Sequence, residues 1–146
     1  MIVYKFGGAS VKSADAVRKV GQILAGNFDE LVVVISAMGK TTNLLETLVK
    51  AFFQKDEYMW KIFGQFKSYH IEITDNLFGE GKTPAGVSSF FDMLEEKLHE
   101  TPSLDYDFEY DQIVSYGEMV STKIIHPKTM KPLHNIGTIR SGTTRT

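Results

Sequence analysis

The sequence predicts an α/β protein built on a parallel sheet with flanking helices and a helix-rich insertion. Three observations carry this reading. Ile2–Phe6 is an apolar, β-favouring run that ends at Gly7-Gly8. Leu31-Val32-Val33-Val34-Ile35 is a second, uninterrupted apolar run, of the kind that suits a strand covered on both faces of a parallel sheet. Between them Ala16, Val17, Val20, Ile23 and Leu24 recur at helical spacing. Strand, loop, helix, strand is a βαβ unit with a right-handed crossover.

The elements follow in order. Ser13 is the expected N-cap of the first helix, Asp15 favours its dipole, and Gly26 suits its end. Ser36–Thr42 is a polar loop at the carboxyl end of the second strand. Thr41 or Thr42 is expected to cap a helix over Asn43–Phe52, whose stripe is Leu44, Leu45, Leu48, Val49 and Phe52. Tyr58–Phe78 is long and amphipathic, and Gly79–Pro84 is a turn. Val87, Phe90, Phe91, Leu94 and Leu98 form the next stripe, up to Thr101-Pro102. Asp107 is expected to cap a last helix holding Ile113, Val114, Met119 and Val120. These aromatic stripes read as core rather than as cofactor contacts.

Composition narrows the function classes. A chain of 146 residues is expected to be one domain, able to bury roughly 70% of its unfolded surface. An apolar fraction of 42% and a charged fraction of 23% are ordinary for a soluble globular protein. There is no cysteine, which excludes disulfides and thiolate chemistry, and the four histidines show no ligand spacing, so no protein metal centre is read here. No run approaches a membrane span, and no membrane partner is expected. The N-terminus lacks a basic leader and a cleavage site, so no signal peptide is read and cytoplasmic residence is expected. The net charge of −2 is uneven: all 18 acids precede residue 123, whereas five of the 16 bases lie within residues 123–146. That basic tail has no aromatic residue and no dense cluster, so nucleic-acid binding is not expected.

The chemistry-bearing residues lie in three places. In Lys5-Phe6-Gly7-Gly8-Ala9-Ser10-Val11 a lysine and a glycine pair leave a strand just before a helix. Backbone N–H groups of such a turn can approach an oxyanion closely, the positive end of the following helix adds attraction, and Lys5 supplies a full charge. Ser36-Ala37-Met38-Gly39-Lys40-Thr41-Thr42 lies at the same end of the sheet, where ligands of open α/β sheets bind. Gly39-Lys40-Thr41 is not the end of a Walker A loop, because Val34 stands where that motif needs a glycine. In Ser115-Tyr116-Gly117-Glu118, a glycine within a helical pattern costs about 1 kcal/mol against alanine and signals a close approach. Glu118 is either a solvated charge or a carboxylate that orients Lys5 or a ligand amine.

These three segments, in this order and spacing, resemble the aspartate kinases of the amino acid kinase family. The resemblance covers about residues 1–135. It implies the N-terminal lobe of an amino acid kinase-like fold, and transfer of the γ-phosphoryl group of ATP, with Mg2+, to the side-chain carboxylate of L-aspartate in lysine, threonine and methionine synthesis. It implies that Lys5 stabilises the transferred phosphoryl group and that Gly7, Gly8 and Ser10 contact phosphates. Ser36 and Thr42 would line the aspartate pocket, and Glu118 would bind the substrate side or hold Lys5. Phosphoryl transfer needs positioning and charge stabilisation more than covalent chemistry, which suits this residue set.

Two departures qualify what the resemblance implies. Ala9 stands where the family commonly has threonine. More seriously, Ser115–Lys123 is followed almost at once by Ile125–Leu133, which resembles a segment near the end of the family's kinase domain. The chain therefore reads as internally shortened, without most of the nucleotide half and without the regulatory domains, and with little expected turnover. Residues 136–146 match nothing in the family and are expected to be a flexible tail. The alternative is a non-catalytic lobe that binds anions or aspartate, or that associates with itself through an exposed sheet edge or apolar face, and a homo-oligomer is expected. Another carboxylate or carbamate kinase of the superfamily would need a different second loop.

Overall fold

The computed structural model describes residues 1–26 and 30–126. Strand β1 (Ile2–Phe6) and strand β2 (Leu31–Ile35) pair in parallel, with partners running from Ile2–Leu31 to Phe6–Ile35. Between them lie a single 3-10 turn over Gly8–Val11 and helix α1 (Ala14–Leu24). Four helices follow: α2 (Thr41–Phe53), α3 (Met59–Phe78), α4 (Ala85–His99) and α5 (Tyr106–Ile124). This is the expected α/β architecture, with a two-strand parallel sheet and flanking helices. The Pro127–Leu133 part of the Ile125–Leu133 segment and the 136–146 tail lie outside the described residues. Among the described residues no helix is long and apolar enough to cross a membrane.

Local chemistry sets the helix starts. The Ser13 hydroxyl accepts the Ala16 N–H at 3.2 Å, and Asp15 stands in the first turn of α1, as expected. The Gly7-Gly8 turn does not run directly into α1, however. Because Ser13 is the cap, the 3-10 turn intervenes, and the positive end of α1 is not at the glycines. Two cap expectations are corrected in the same way. Asp105, not Asp107, caps α5: its backbone is extended and its carboxylate accepts the Phe108 N–H at 3.1 Å, while Asp107 already lies inside the first turn. Neither Thr41 nor Thr42 caps α2. Lys40 occupies the cap position, and the Thr41 hydroxyl instead donates back to the Met38 carbonyl at 2.7 Å.

Helix α2 is the centre of the core. It packs between α3 and α5, while α4 lies against α5 and α1 against α3. Leu45, Leu48, Val49 and Phe52 of α2 are buried, as are Phe66 of α3, Phe91, Leu94 and Leu98 of α4, and Ile113 and Val120 of α5. Each such side chain contributes about 1.5–3 kcal/mol relative to exposure. Phe66 and Phe91 meet edge to face at 6.0 Å, so the aromatic stripes are core, as read.

The sheet differs from expectation on one point. Tyr4, Phe6, Val33 and Ile35 pack on the helical core, but the opposite face is open, with Val3 56%, Val32 44% and Val34 45% exposed. The uninterrupted apolar run of β2 therefore has one covered face among the described residues, because the described helices gather on the other side.

Glu109 and His70 are among the polar side chains buried in this core. Glu109, 1% exposed, is held by Lys97 Nζ at 2.8 Å and accepts the Ser103 N–H at 2.7 Å. Burial pushes the Glu109 carboxyl up, but Lys97 and Ser103 outweigh it and leave the group below the usual carboxylate range. Burial likewise pulls Lys97 down, and the Glu109 and Glu100 carboxylates outweigh that and raise it. The pair thus stabilises the fold at neutral pH. The Glu109 contribution is lost as pH falls through its lowered value, and that of Lys97 as pH rises through its raised one. His70, 0% exposed, lies 2.8 Å from the Phe66 carbonyl through Nδ1. A carbonyl only accepts, so Nδ1 carries the proton and Nε2 is the bare nitrogen.

Two outcomes are expected. Glu109→Gln removes the charge partner of Lys97 and lowers stability at pH 7 by about 2 kcal/mol, measured by urea unfolding. Burial holds His70 down at about 4, against an ordinary 6.5, with the Phe66 carbonyl opposing the shift. The unfolded state therefore binds more protons between those values. Stability is full above pH 6.5 and falls as pH drops toward 4, by about 3 kcal/mol from this ring. Urea unfolding across that window should show a smaller fall in His70→Gln than in the parent.

Candidate functional site

Parallel pairing of β1 and β2 puts the loops after Phe6 and after Ile35 side by side at the carboxyl end of the sheet. Their backbones touch. The Gly39 N–H donates to the Gly8 carbonyl at 2.9 Å, and the Ser36 N–H donates to the Phe6 carbonyl at 3.0 Å. A Cβ on Gly8 would stand 2.6 Å from the Gly39 carbonyl oxygen and 2.9 Å from that of Ala37. Only glycine permits this approach, because both neighbours are backbone. Gly39 itself has φ +56, the left-handed region that a non-glycine side chain rarely enters. Gly7 is different: it is exposed, and a Cβ there would meet open space.

The third segment joins the same corner from α5. A Cβ on Gly117 would stand 3.0 Å from Ala37 Cβ and 3.1 Å from Leu45 Cδ1. The close approach that this glycine predicts is therefore made by the second loop and α2. One turn further on, the Ser121 hydroxyl donates to the Ser36 carbonyl at 2.7 Å. The second loop is thus fixed from both sides, by Gly8 and by α5, with Ala37 and Met38 buried beneath it.

The site residues read from the sequence sort cleanly on this frame. Lys5 lies next to the end of β1, on the open face of the sheet beside Val34, and is exposed. Gly7 and Ser10 are exposed on the 3-10 turn, and the Ser10 N–H donates to the Gly7 carbonyl at 3.0 Å. Ser36 is half-buried, and Thr42 is exposed in the first turn of α2. Glu118 is exposed on α5, next to Gly117. Gly7, Gly8, Ser10 and Ser36 therefore lie on the two touching loops, with Lys5 just before the first and Thr42 just after the second. Glu118 lies on α5, and no ion pair joins it to Lys5 among the described residues.

Sequence reasoning misses two contributors. Ser121 reads as an ordinary helical serine, and its bond to Ser36 joins residues 85 apart in the sequence. Tyr69 reads as one more aromatic on α3, yet its hydroxyl donates to the Lys12 carbonyl at 2.6 Å, behind the first loop.

Chemically, the two loops and their flanks offer exposed lysines at Lys5, Lys12 and Lys40, exposed backbone at Gly7 and hydroxyls at Ser10, Ser36 and Thr42, a set suited to phosphoryl or carboxylate oxygens. Among the described residues no three His, Asp or Glu side chains gather as a metal centre.

The two glycines of the first loop should respond differently to one methyl group. Gly8→Ala is expected to cost about 1–3 kcal/mol by forcing the loops apart. Gly7→Ala should stay within about 0.5 kcal/mol of the parent. Urea unfolding of both variants checks the contrast.

No family model matches the chain. The chain is 32% identical over 124 residues to an aspartokinase of Chlamydia pneumoniae, which covers 85% of the chain and 26% of that protein. It is 31% identical over 129 residues to the chloroplastic aspartokinase 1 of Arabidopsis thaliana, covering 84% of the chain and 22% of that protein. Against the chloroplastic aspartokinase 2 of the same plant, 44 residues are 52% identical, or 30% of the chain and 8% of that protein. Crystal structures of E. coli aspartokinase III share the fold. The R-state complex with aspartate and ADP superposes with a TM-score of 0.71 at 22% identity, over 86% of the chain and 28% of that protein. The T-state complex with lysine and aspartate gives 0.70 at 23% identity, over the same shares. By sequence relatives and by fold alike, the chain is aspartokinase-like, over a span of 26% of the length of its Chlamydia relative.

Proposed function

We propose that the chain is the phosphoryl-transfer corner of an aspartate kinase, which binds L-aspartate and the phosphates of ATP. The observation that carries this reading is the Gly8–Gly39 contact, which makes one surface of two loops that are distant in sequence. In this reading Lys5 approaches the transferred phosphoryl group and stabilises charge that grows during transfer. The Gly7 and Gly8 backbone and Ser10 hold phosphate oxygens. Ser36 and Thr42 hold the aspartate, with Glu118 at the rim for its ammonium group. The substrate carboxylate is already a nucleophile, so no general base is needed. Mg2+ accompanies ATP and neutralises phosphate charge when bound.

The chain spans about a quarter of its relatives, so turnover is a separate matter from binding. The expected behaviour is ligand binding with little aspartyl phosphate formed, in a lobe of residues 1–135 that resides in the cytoplasm and makes no nucleic-acid or membrane contact. The open sheet face at Val3, Val32 and Val34 favours a second reading alongside it, a lobe that associates with itself into a homo-oligomer.

Calorimetry with L-aspartate and with MgATP, separately and together, tests the proposal. Binding of either ligand that weakens at least about tenfold in Lys5→Ala supports it, since one charge-assisted contact contributes about 1.5–3 kcal/mol. No binding of either ligand overturns it. Sedimentation over a range of concentrations tests the second reading, which a strict monomer contradicts.

A further inference from the structure

We propose that Tyr69 is the positioning residue of the two-loop corner: from α3 it fixes how the turn over residues 7–11 and the loop over residues 36–40 sit against each other. The functional half of this claim rests on the reading of that corner as the ligand site. The geometric half stands on its own.

Tyr69 is half-buried on α3, outside both loops. Its hydroxyl donates to the carbonyl of Lys12, the residue that ends the 3-10 turn of the first loop. The same oxygen reaches the second loop, where a Cβ on Gly39 would lie 2.6 Å from it and 3.4 Å from the ring carbon that bears it. Lys12 Cβ lies 3.7 Å from that same point. One phenol oxygen therefore stands where the two loops converge, and the missing side chain of Gly39 is what makes room for it. The ring is braced from behind by His70, edge to face at 5.2 Å. Burial raises the Tyr69 phenol above its ordinary value, so it remains a neutral donor at physiological pH.

The position gives this contact an effect larger than its share of the fold. Gly7 and Ser10 are exposed and take their placement from the backbone of the first loop, with Lys5 just before that loop and Thr42 just after the second. The two loops are joined by the Gly39–Gly8 hydrogen bond, and Tyr69 closes the triangle from α3. Loops of this kind open locally at much lower cost than the helical core. Losing the hydroxyl should loosen the corner while leaving the packed helices alone.

Tyr69→Phe in the full chain tests this. Amide hydrogen exchange should quicken about fivefold at Gly39 and Ser10, whose N–H groups hold the loops, and should not change at Val120 in α5. Affinity for L-aspartate or MgATP should fall by a similar factor. Unchanged exchange at Gly39 and Ser10 overturns the claim. Quickening spread equally over α3 and α5 also overturns it, because that marks a purely structural residue. Gly39→Ala supplies the second arm. Its clash involves the phenol oxygen, so adding Tyr69→Phe should recover part of the lost stability, and strictly additive losses contradict the geometry. If the parent chain binds neither ligand, the ligand-site reading fails, and exchange and the double variant still decide the positioning claim.

Discussion

The contact on which this molecule depends is the approach of two backbones at Gly8 and Gly39. Parallel pairing of two short strands brings the loops to one end of the sheet, but a sheet of two strands is marginal by itself. What turns adjacency into a surface is an N–H donated across the gap, at a distance no side chain on Gly8 would tolerate. The rest of the corner is built outward from that point. α5 approaches through Gly117 and bonds through Ser121, and α3 reaches both loops through Tyr69. Glycine serves two purposes here. Gly8 and Gly117 allow close packing, and Gly39 allows a left-handed turn.

The helical core supplies the rigidity behind the corner. α2 starts at the second loop and runs into the centre of the molecule, so burial of Leu45, Leu48 and Phe52 also anchors the loop. The Lys97–Glu109 pair ties α4 to α5, with the Lys97 ammonium over the rings of Phe52 and Phe108. Breaking such a pair on one side is costly, because the remaining charge is left poorly solvated. The open face of the sheet is the counterpart of this arrangement. Valines that would be covered in a larger α/β domain stand exposed beside Lys5, in a chain that spans about a quarter of its relatives.

Much of this was legible in the sequence, for identifiable reasons. Strands and helices followed from period and from apolar runs, and Ser13 announced its cap because capping is local. Gly117 announced a close approach because glycine inside a helix has a cost. Caps decided by the exact start of a helix were misread: Asp105 took the place given to Asp107, and Lys40 that given to Thr41 or Thr42. The second covered face of β2 was misread too, since an apolar run shows what a strand could bury and not what is present to bury it. Contacts between distant residues of common type were silent. Nothing local marks Ser121 as the partner of Ser36, Tyr69 as the partner of Lys12, or Glu109 as a buried acid.

In the proposed function the two loops act as one ligand-binding unit. Titrating 15N-labelled chain with L-aspartate, and separately with MgATP, while following amide chemical shifts tests this most directly. Gly7, Gly8 and Ser10 are expected to shift together with Ser36, Gly39 and Thr42, along curves that share one dissociation constant. Shifts confined to one loop, different constants for the two loops, or a response located elsewhere, such as the outer face of α3, would contradict it.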